Sequence, residues 1–231
     1  MKFSIRSIFI SLIVSIMIVL LLQIFLQFDL VTSSAGSFVL NINANSTESA
    51  NAVTSVVTYF RGFDTLGEVT ILFLSIFGIS LGLEGYRDKF NIFAYENSLL
   101  KIAVDTLFPL IILFGVYIII HGHLSPGGGF QGGVIIASAF LLMFLAKSNE
   151  FSLKYNILEL AESLSGAGFI LLGVLSILIL NRFLGNFLPL GEVGKLFSGG
   201  VIPLIYIFVG IKVSAEITSL VEYFIRIKDV E

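Results

Sequence analysis

The stretch His121-Gly122-His123-Leu124-Ser125-Pro126-Gly127-Gly128-Gly129-Phe130-Gln131-Gly132-Gly133 separates two apolar runs, Ala103–Ile120 and Phe130–Ala146. Each run is about as long as the ~18 residues that cross a bilayer core as a helix. Glycine and proline between two such runs give either a tight turn or a short re-entrant entry. Ordering so much glycine costs backbone entropy that a plain lipid anchor has no reason to carry. A segment of this kind marks a place where something packs closely or reacts.

Outward from this stretch, the whole chain is of the same character. Its 231 residues are 56% hydrophobic and 13% charged, the latter about half of the ~25% usual in soluble domains. Apolar runs occur at Ile5–Leu26, Leu66–Leu83, Ala103–Ile120, Phe130–Ala146, Leu164–Leu180 and Val201–Leu220. These predict an all-α polytopic integral membrane protein with about six transmembrane helices. The first run is long for the core of a signal peptide and reads as a retained anchor.

Basic residues set the expected orientation. Lys2, Arg6, Arg87, Lys89, Lys101, Lys147, Lys154, Arg226 and Lys228 fall on one side, and only Arg61, Arg182 and Lys195 on the other. Both termini are therefore expected in the cytoplasm. Residues 29–61 form an outer polar loop with a sequon, Asn45-Ser46-Thr47, whose alternative reading is an unmodified surface loop. Residues 84–101 are charged and form a seam between two spans and four.

The chain has no cysteine, which removes thiolate metal sites, iron–sulfur ligation and disulfides. A net charge of −3 without a basic cluster argues against a nucleic-acid partner. No catalytic group, metal site or cofactor motif is read from the sequence. His121 and His123 lie two apart on divergent helix faces, with no third ligand beside them, and remain candidates for proton transfer. The glycine run lacks the Lys-Ser/Thr ending of a phosphate loop. Gly129, Gly133 and Ala137 recur every four residues, the spacing of a small-residue ridge for close helix packing. Gly127, Gly128 and Gly129 give a turn or a re-entrant loop, and Gly132 and Gly133 belong to the packing motif.

Ionisable residues inside spans are costly and are functional candidates by default. Lys212 and Glu216 are four apart and share a helix face, as a proton relay or a structural ion pair. Asp64 and Glu68 are also four apart at the mouth of a span. They read as a proton-holding acid pair or as part of a capping box with Thr65 as N-cap. Asp105 precedes Pro109 by four residues, so the carbonyl of residue 105 loses its helical donor. That arrangement reads equally as a hydrated path or as an interfacial acid on a kinked helix. Gly199, Gly200 and Pro203 precede or open the last span, where proline suits helix initiation.

The run Gly122–Gly133 resembles the G-H-x-x-P-G-G-G-F-x-G-G signature of the B subunit of Mrp-type cation/proton antiporters. Residues 96–231 match that four-helix subunit in size and hydropathy. Phe60-Arg61-Gly62-Phe63-Asp64-Thr65-Leu66-Gly67-Glu68 resembles a stretch in the C-terminal part of the antiporter A subunit. It is similar also to the small subunit that precedes the B-like one in Mrp-related membrane-bound hydrogenases. Residues 1–95 would then be a two-helix region fused to the B-like domain. Asp64 and Glu68 lie on matching motif positions, whereas Lys212 and Glu216 rest on membrane physics alone.

The resemblance implies a non-catalytic accessory subunit of a multi-subunit Na+/H+ antiporter, or of an Mrp-containing respiratory complex. Its partners would be other Mrp-type subunits and a hydrogenase or other redox module, in the cell membrane of a bacterium or archaeon. Na+ and H+ would be the transported ions, with Asp64, Glu68, Asp105, His121, His123, Lys212 and Glu216 as path candidates. The competing readings are a purely structural scaffold and a self-contained transporter.

Overall fold

A computed structural model describes residues 46–83, 98–147 and 155–226, with isolated positions between 12 and 43 and at 151 and 153. The predicted span Ile5–Leu26, Asn45 of the sequon and most of the charged seam lie outside the described residues. Residues 1–38 form a compact unit of their own, in which Leu12, Ile16, Val19 and Leu22 are helical and exposed. The second unit, residues 39–231, carries the rest.

Five helices in it are long and apolar enough to cross a membrane. They are α1 (Gly62–Leu83), α2 (Ser98–Ile120), α3 (Gly129–Ala146), α4 (Tyr155–Leu180) and α5 (Ile202–Arg226). No strand occurs among the described residues. The protein is thus an all-helical, multi-pass membrane protein. The shortest helix, α3, has 18 residues and reaches about 27 Å, just enough for a hydrocarbon core. Helix α4 starts at Tyr155, well ahead of the predicted Leu164, and so takes Glu159 and Glu162 into the helix.

Helix α5 is the centre of the bundle. It packs against α3 and α4 extensively and against α1 and α2 more lightly, while α2 also packs along α3. The core joins Val69 of α1, Phe169 and Leu172 of α4, Leu184 of the following loop, and Val201, Ile205, Val209 and Val213 on or beside α5. Apolar area drives little helix association in lipid, so close backbone approach must do the work. Helix α3 supplies it on two faces. A Cβ at Gly129 would stand 2.7 Å from the Tyr206 carbonyl oxygen, and one at Gly133 would stand 2.8 Å from that of Gly210. Ala137 continues this ridge and is buried. On the other face, a Cβ at Gly132 would meet the Ile119 side chain and lie 2.7 Å from the Gly115 carbonyl oxygen. Gly115 mirrors this against Ile136 of α3 at 2.6 Å. The ridge toward α5 was legible in the spacing; the second face toward α2 was not.

The hairpin segment is a turn rather than a re-entrant loop, since α2 ends at Ile120 and α3 begins at Gly129. Gly128 makes the corner at φ 149° with no side-chain cap, a backbone region that glycine alone enters freely. The turn's carbonyls are satisfied by the segment that precedes α1. The Asn51 amide nitrogen donates to Gly122 O and Ser125 O, both at 2.9 Å. Thr54 Oγ1 donates to Gly122 O at 2.6 Å, and Ser49 Oγ to His123 O at 2.8 Å. Tyr206 of α5 completes the clasp, its hydroxyl donating to Thr54 Oγ1 at 3.0 Å.

Between the clasp and α1 the chain makes a π-helical turn, Ser55–Phe60. The Val57 carbonyl is taken by the Thr65 hydroxyl at 2.7 Å. This overturns the capping-box expectation: α1 begins at Gly62, so Thr65 is already helical and its hydroxyl bonds backward across the turn. Pro203, by contrast, sits in the first turn of α5, where its missing N–H costs nothing.

Candidate functional site

The densest charge inside the bundle is built on α5. Lys212 Nζ lies 2.7 Å from Glu216 Oε1, the two side chains 13% and 1% exposed. The four-residue spacing puts them on one face, and α4 runs beside it. Glu162 Oε1 of α4 approaches the same ammonium at 3.7 Å. Helix α1 contributes Phe73, whose ring centroid lies 5.1 Å from Nζ, a cation–π contact that solvates the charge without water. Gly166, one turn beyond Glu162, borders the lysine: a Cβ there would sit in ordinary contact, 3.7 Å from Cδ, Cε and Nζ of Lys212. Three helices therefore converge on one lysine.

One ammonium between two carboxylates leaves a formal surplus of negative charge. Groups this close are coupled in their protonation. Further along α5, Glu222 is 4% exposed and Thr218 fully buried, extending the polar series toward the C-terminal end of the helix. Sequence reasoning missed Glu162 and Glu222 because the predicted spans stopped short of both. The signal available was an acid set among apolar neighbours, as in Leu158–Leu164.

The other candidate residues stay apart from this cluster. Asp64 pairs with Arg61 at 2.5 Å on an exposed turn, rather than serving with Glu68 as an isolated acid pair. Glu68 is exposed on α1. Asp105 of α2 bonds Lys147 at the end of α3 at 2.5 Å and is half exposed. It ties α2 to the end of α3. His121 stacks on Tyr117 at 4.2 Å between ring centroids. Among the described residues, no cluster of three or more His, Asp or Glu is placed to hold a metal.

His123 is different. It is fully buried in the clasp beneath the α4–α5 loop, and neither ring nitrogen makes a hydrogen bond. Burial holds its pKa below the usual 6.5. Backbone groups of Lys195 and Leu196 lie near enough to lessen the shift, without satisfying hydrogen-bond geometry. The imidazole is thus kept neutral at the end of the bundle that carries residues 46–61.

Comparison with known proteins fits this architecture. Residues 99–219 match a family described as a domain related to the MnhB subunit of Na+/H+ antiporter. An uncharacterised protein of Methanocaldococcus jannaschii is 30% identical over 195 residues, covering 73% of this chain and 74% of the relative. A putative antiporter subunit mnhB2 of Staphylococcus aureus (strain Newman) is 46% identical over 70 residues, 30% of this chain and 44% of its own length. Among solved structures, a chain of the membrane-bound sulfane sulfur reductase, an archaeal respiratory membrane complex, superposes with TM-score 0.73. It is 36% identical, over 93% of this chain and 97% of that one. A chain of the Mrp complex from Dietzia sp. DQ12-45-1b gives TM-score 0.71 at 20% identity, over 97% of this chain and 26% of its own length. That last likeness is one of fold.

Proposed function

We propose a function from one premise: this chain belongs to the family of domains related to the MnhB subunit of Na+/H+ antiporters. It is an accessory membrane subunit of an Mrp-type antiporter or of an Mrp-containing respiratory complex. By itself it makes and breaks no bonds; its contribution is to ion movement. The observation that carries the finer reading is the buried Lys212–Glu216–Glu162 cluster, with surplus acid at the meeting of three helices. In our reading the cluster passes protons or holds Na+ along a path completed by neighbouring subunits. Asp64, Glu68, Asp105, His121 and His123 stand outside it, and Glu222 extends it.

Both termini face the cytoplasm in this reading, since the clasped end carries Arg61, Arg182 and Lys195 while the sequence segments expected on the opposite side hold most of the other basic residues. Residues 1–95 are a fused A-subunit-like region. Support for this is the run Phe60–Glu68, which resembles a stretch in the C-terminal part of the antiporter A subunit.

The second reading, a structural scaffold, is favoured by Lys212 being satisfied within the chain by two acids and a ring. Ion translocation by the assembled complex in vesicles decides between them. Single removal of a buried charge strands its partner, so Lys212→Met and Glu216→Gln are made together, beside Glu162→Gln alone. The path reading expects intact assembly with translocation reduced about tenfold or more, a cost of ~1.4 kcal/mol or more in the barrier. Unchanged translocation by both variants establishes the scaffold instead.

A further inference from the structure

Helix α1 has an outward face that does not suit lipid. Only 11% of its span is buried within the chain, against 44% for α5. Thr65 and Val69 meet the core. On the exposed side, Asp64, Glu68, Ile71, Ser75, Gly78 and Gly82 follow one another at steps of four and three residues, and all are exposed. That alternation is the seam spacing of two helices in left-handed contact. A Cβ built on Gly67, Gly78 or Gly82 meets nothing within 4 Å. The rest of the exposed arc carries Phe63, Leu74, Phe77 and Leu81, as a lipid-facing surface would.

Glu68 is the independent sign of an occupant. It lies six residues into the helix, about 9 Å from its start. Among the described residues it takes part in no ion pair or hydrogen bond. Acids within membrane helices face protein or a hydrated cavity and find a partner there. Among the described residues there is none.

We propose that this face docks a transmembrane helix of another subunit, one carrying a lysine or arginine at the level of Glu68. The small residues Ser75, Gly78 and Gly82 admit that helix closely, and its cation answers the acid. The proposal rests on the reading of the chain as a subunit of a larger complex. A second copy of this chain does not fit. A parallel pair on a two-fold axis sets Glu68 beside Glu68 and brings no cation to that level, Arg61 being engaged with Asp64.

The test uses the complex purified through a tag on this chain. A photo-crosslinking amino acid at Ser75 is expected to capture a membrane-helix peptide of another subunit that contains Lys or Arg. Glu68→Lys, and separately Gly78→Leu with Gly82→Leu, are each expected to lower the yield of that subunit about tenfold. Replacing the captured helix's basic residue by Glu is expected to restore recovery with Glu68→Lys. The glycine variants face open space, so this chain's own fold tolerates them. Crosslinks only to lipid, to residues 5–26 or to a second copy overturn the proposal, as does unchanged subunit yield in both variants. The subunit reading survives those results. Recovery of the wild-type chain alone from the membrane overturns both.

Discussion

In α3, a methyl group added at Gly129, Gly132 or Gly133 would run into α5 or α2; in α1, the same group added at Gly67, Gly78 or Gly82 would touch nothing. The two helices use the same residue at similar spacing, one in an interface already closed and the other on a bare face. The charges divide in the same way. Lys212 is met by two acids and a ring inside the bundle, whereas Glu68 on α1 has no counter-charge among the described residues. Small residues and buried charges in a membrane helix thus specify contacts without specifying whose. The lysine cluster inside the bundle is answered within it, and Glu68 at the edge is not, among the described residues.

That contrast predicts large losses of stability in the interior and almost none at the edge. Lys212→Ala strands Glu216, 1% exposed, and is expected to cost about 3–5 kcal/mol, measured as thermal unfolding of the complex in detergent. Gly133→Leu drives a side chain into the Gly210 carbonyl and Val213 and is expected to cost about 3 kcal/mol by the same measurement. His123 gives a pH signature. Because burial lowers its pKa, the unfolded chain binds a proton below pH 6.5 that the folded chain refuses. Its contribution is therefore full above pH 6.5 and is lost as pH falls toward the lowered folded value, by up to about 1.4 kcal/mol per pH unit. His123→Phe is expected to flatten that slope. At the edge, Gly78→Ala is expected to change stability of the isolated chain by less than about 0.5 kcal/mol. A loss there as large as that of Gly133→Leu would break the comparison.

The sequence told much of this, unevenly. The apolar runs located α1 to α5 because length and hydropathy alone decide whether a segment spans. The Gly129-Gly133-Ala137 ridge and the Lys212–Glu216 pair were legible because both lie within one helix, where spacing fixes the face. Glu162 was lost because the predicted span ended at the first charge, and what permits that charge is Lys212, 50 residues later. Gly115 stayed unmarked for the same reason: its meaning depends on Gly132 and Ile136 across the hairpin. Thr65 looked like a cap because the π-helical turn before α1, which moves the helix start to Gly62, has no signature in hydropathy.

The clasp over the hairpin turn has a consequence for how the protein is made. Asn51 bonds carbonyls 71 and 74 residues further along the chain. At the ~5–20 residues per second of synthesis, those carbonyls emerge about 4–15 s after Asn51 itself. During that interval the side chains of Asn51 and Thr54 lack those acceptors, and α1 enters the membrane before the clasp can form. Biogenesis therefore closes this end of the protein from its middle backward, and the insertion machinery must hold an unclasped helix until the glycine turn arrives.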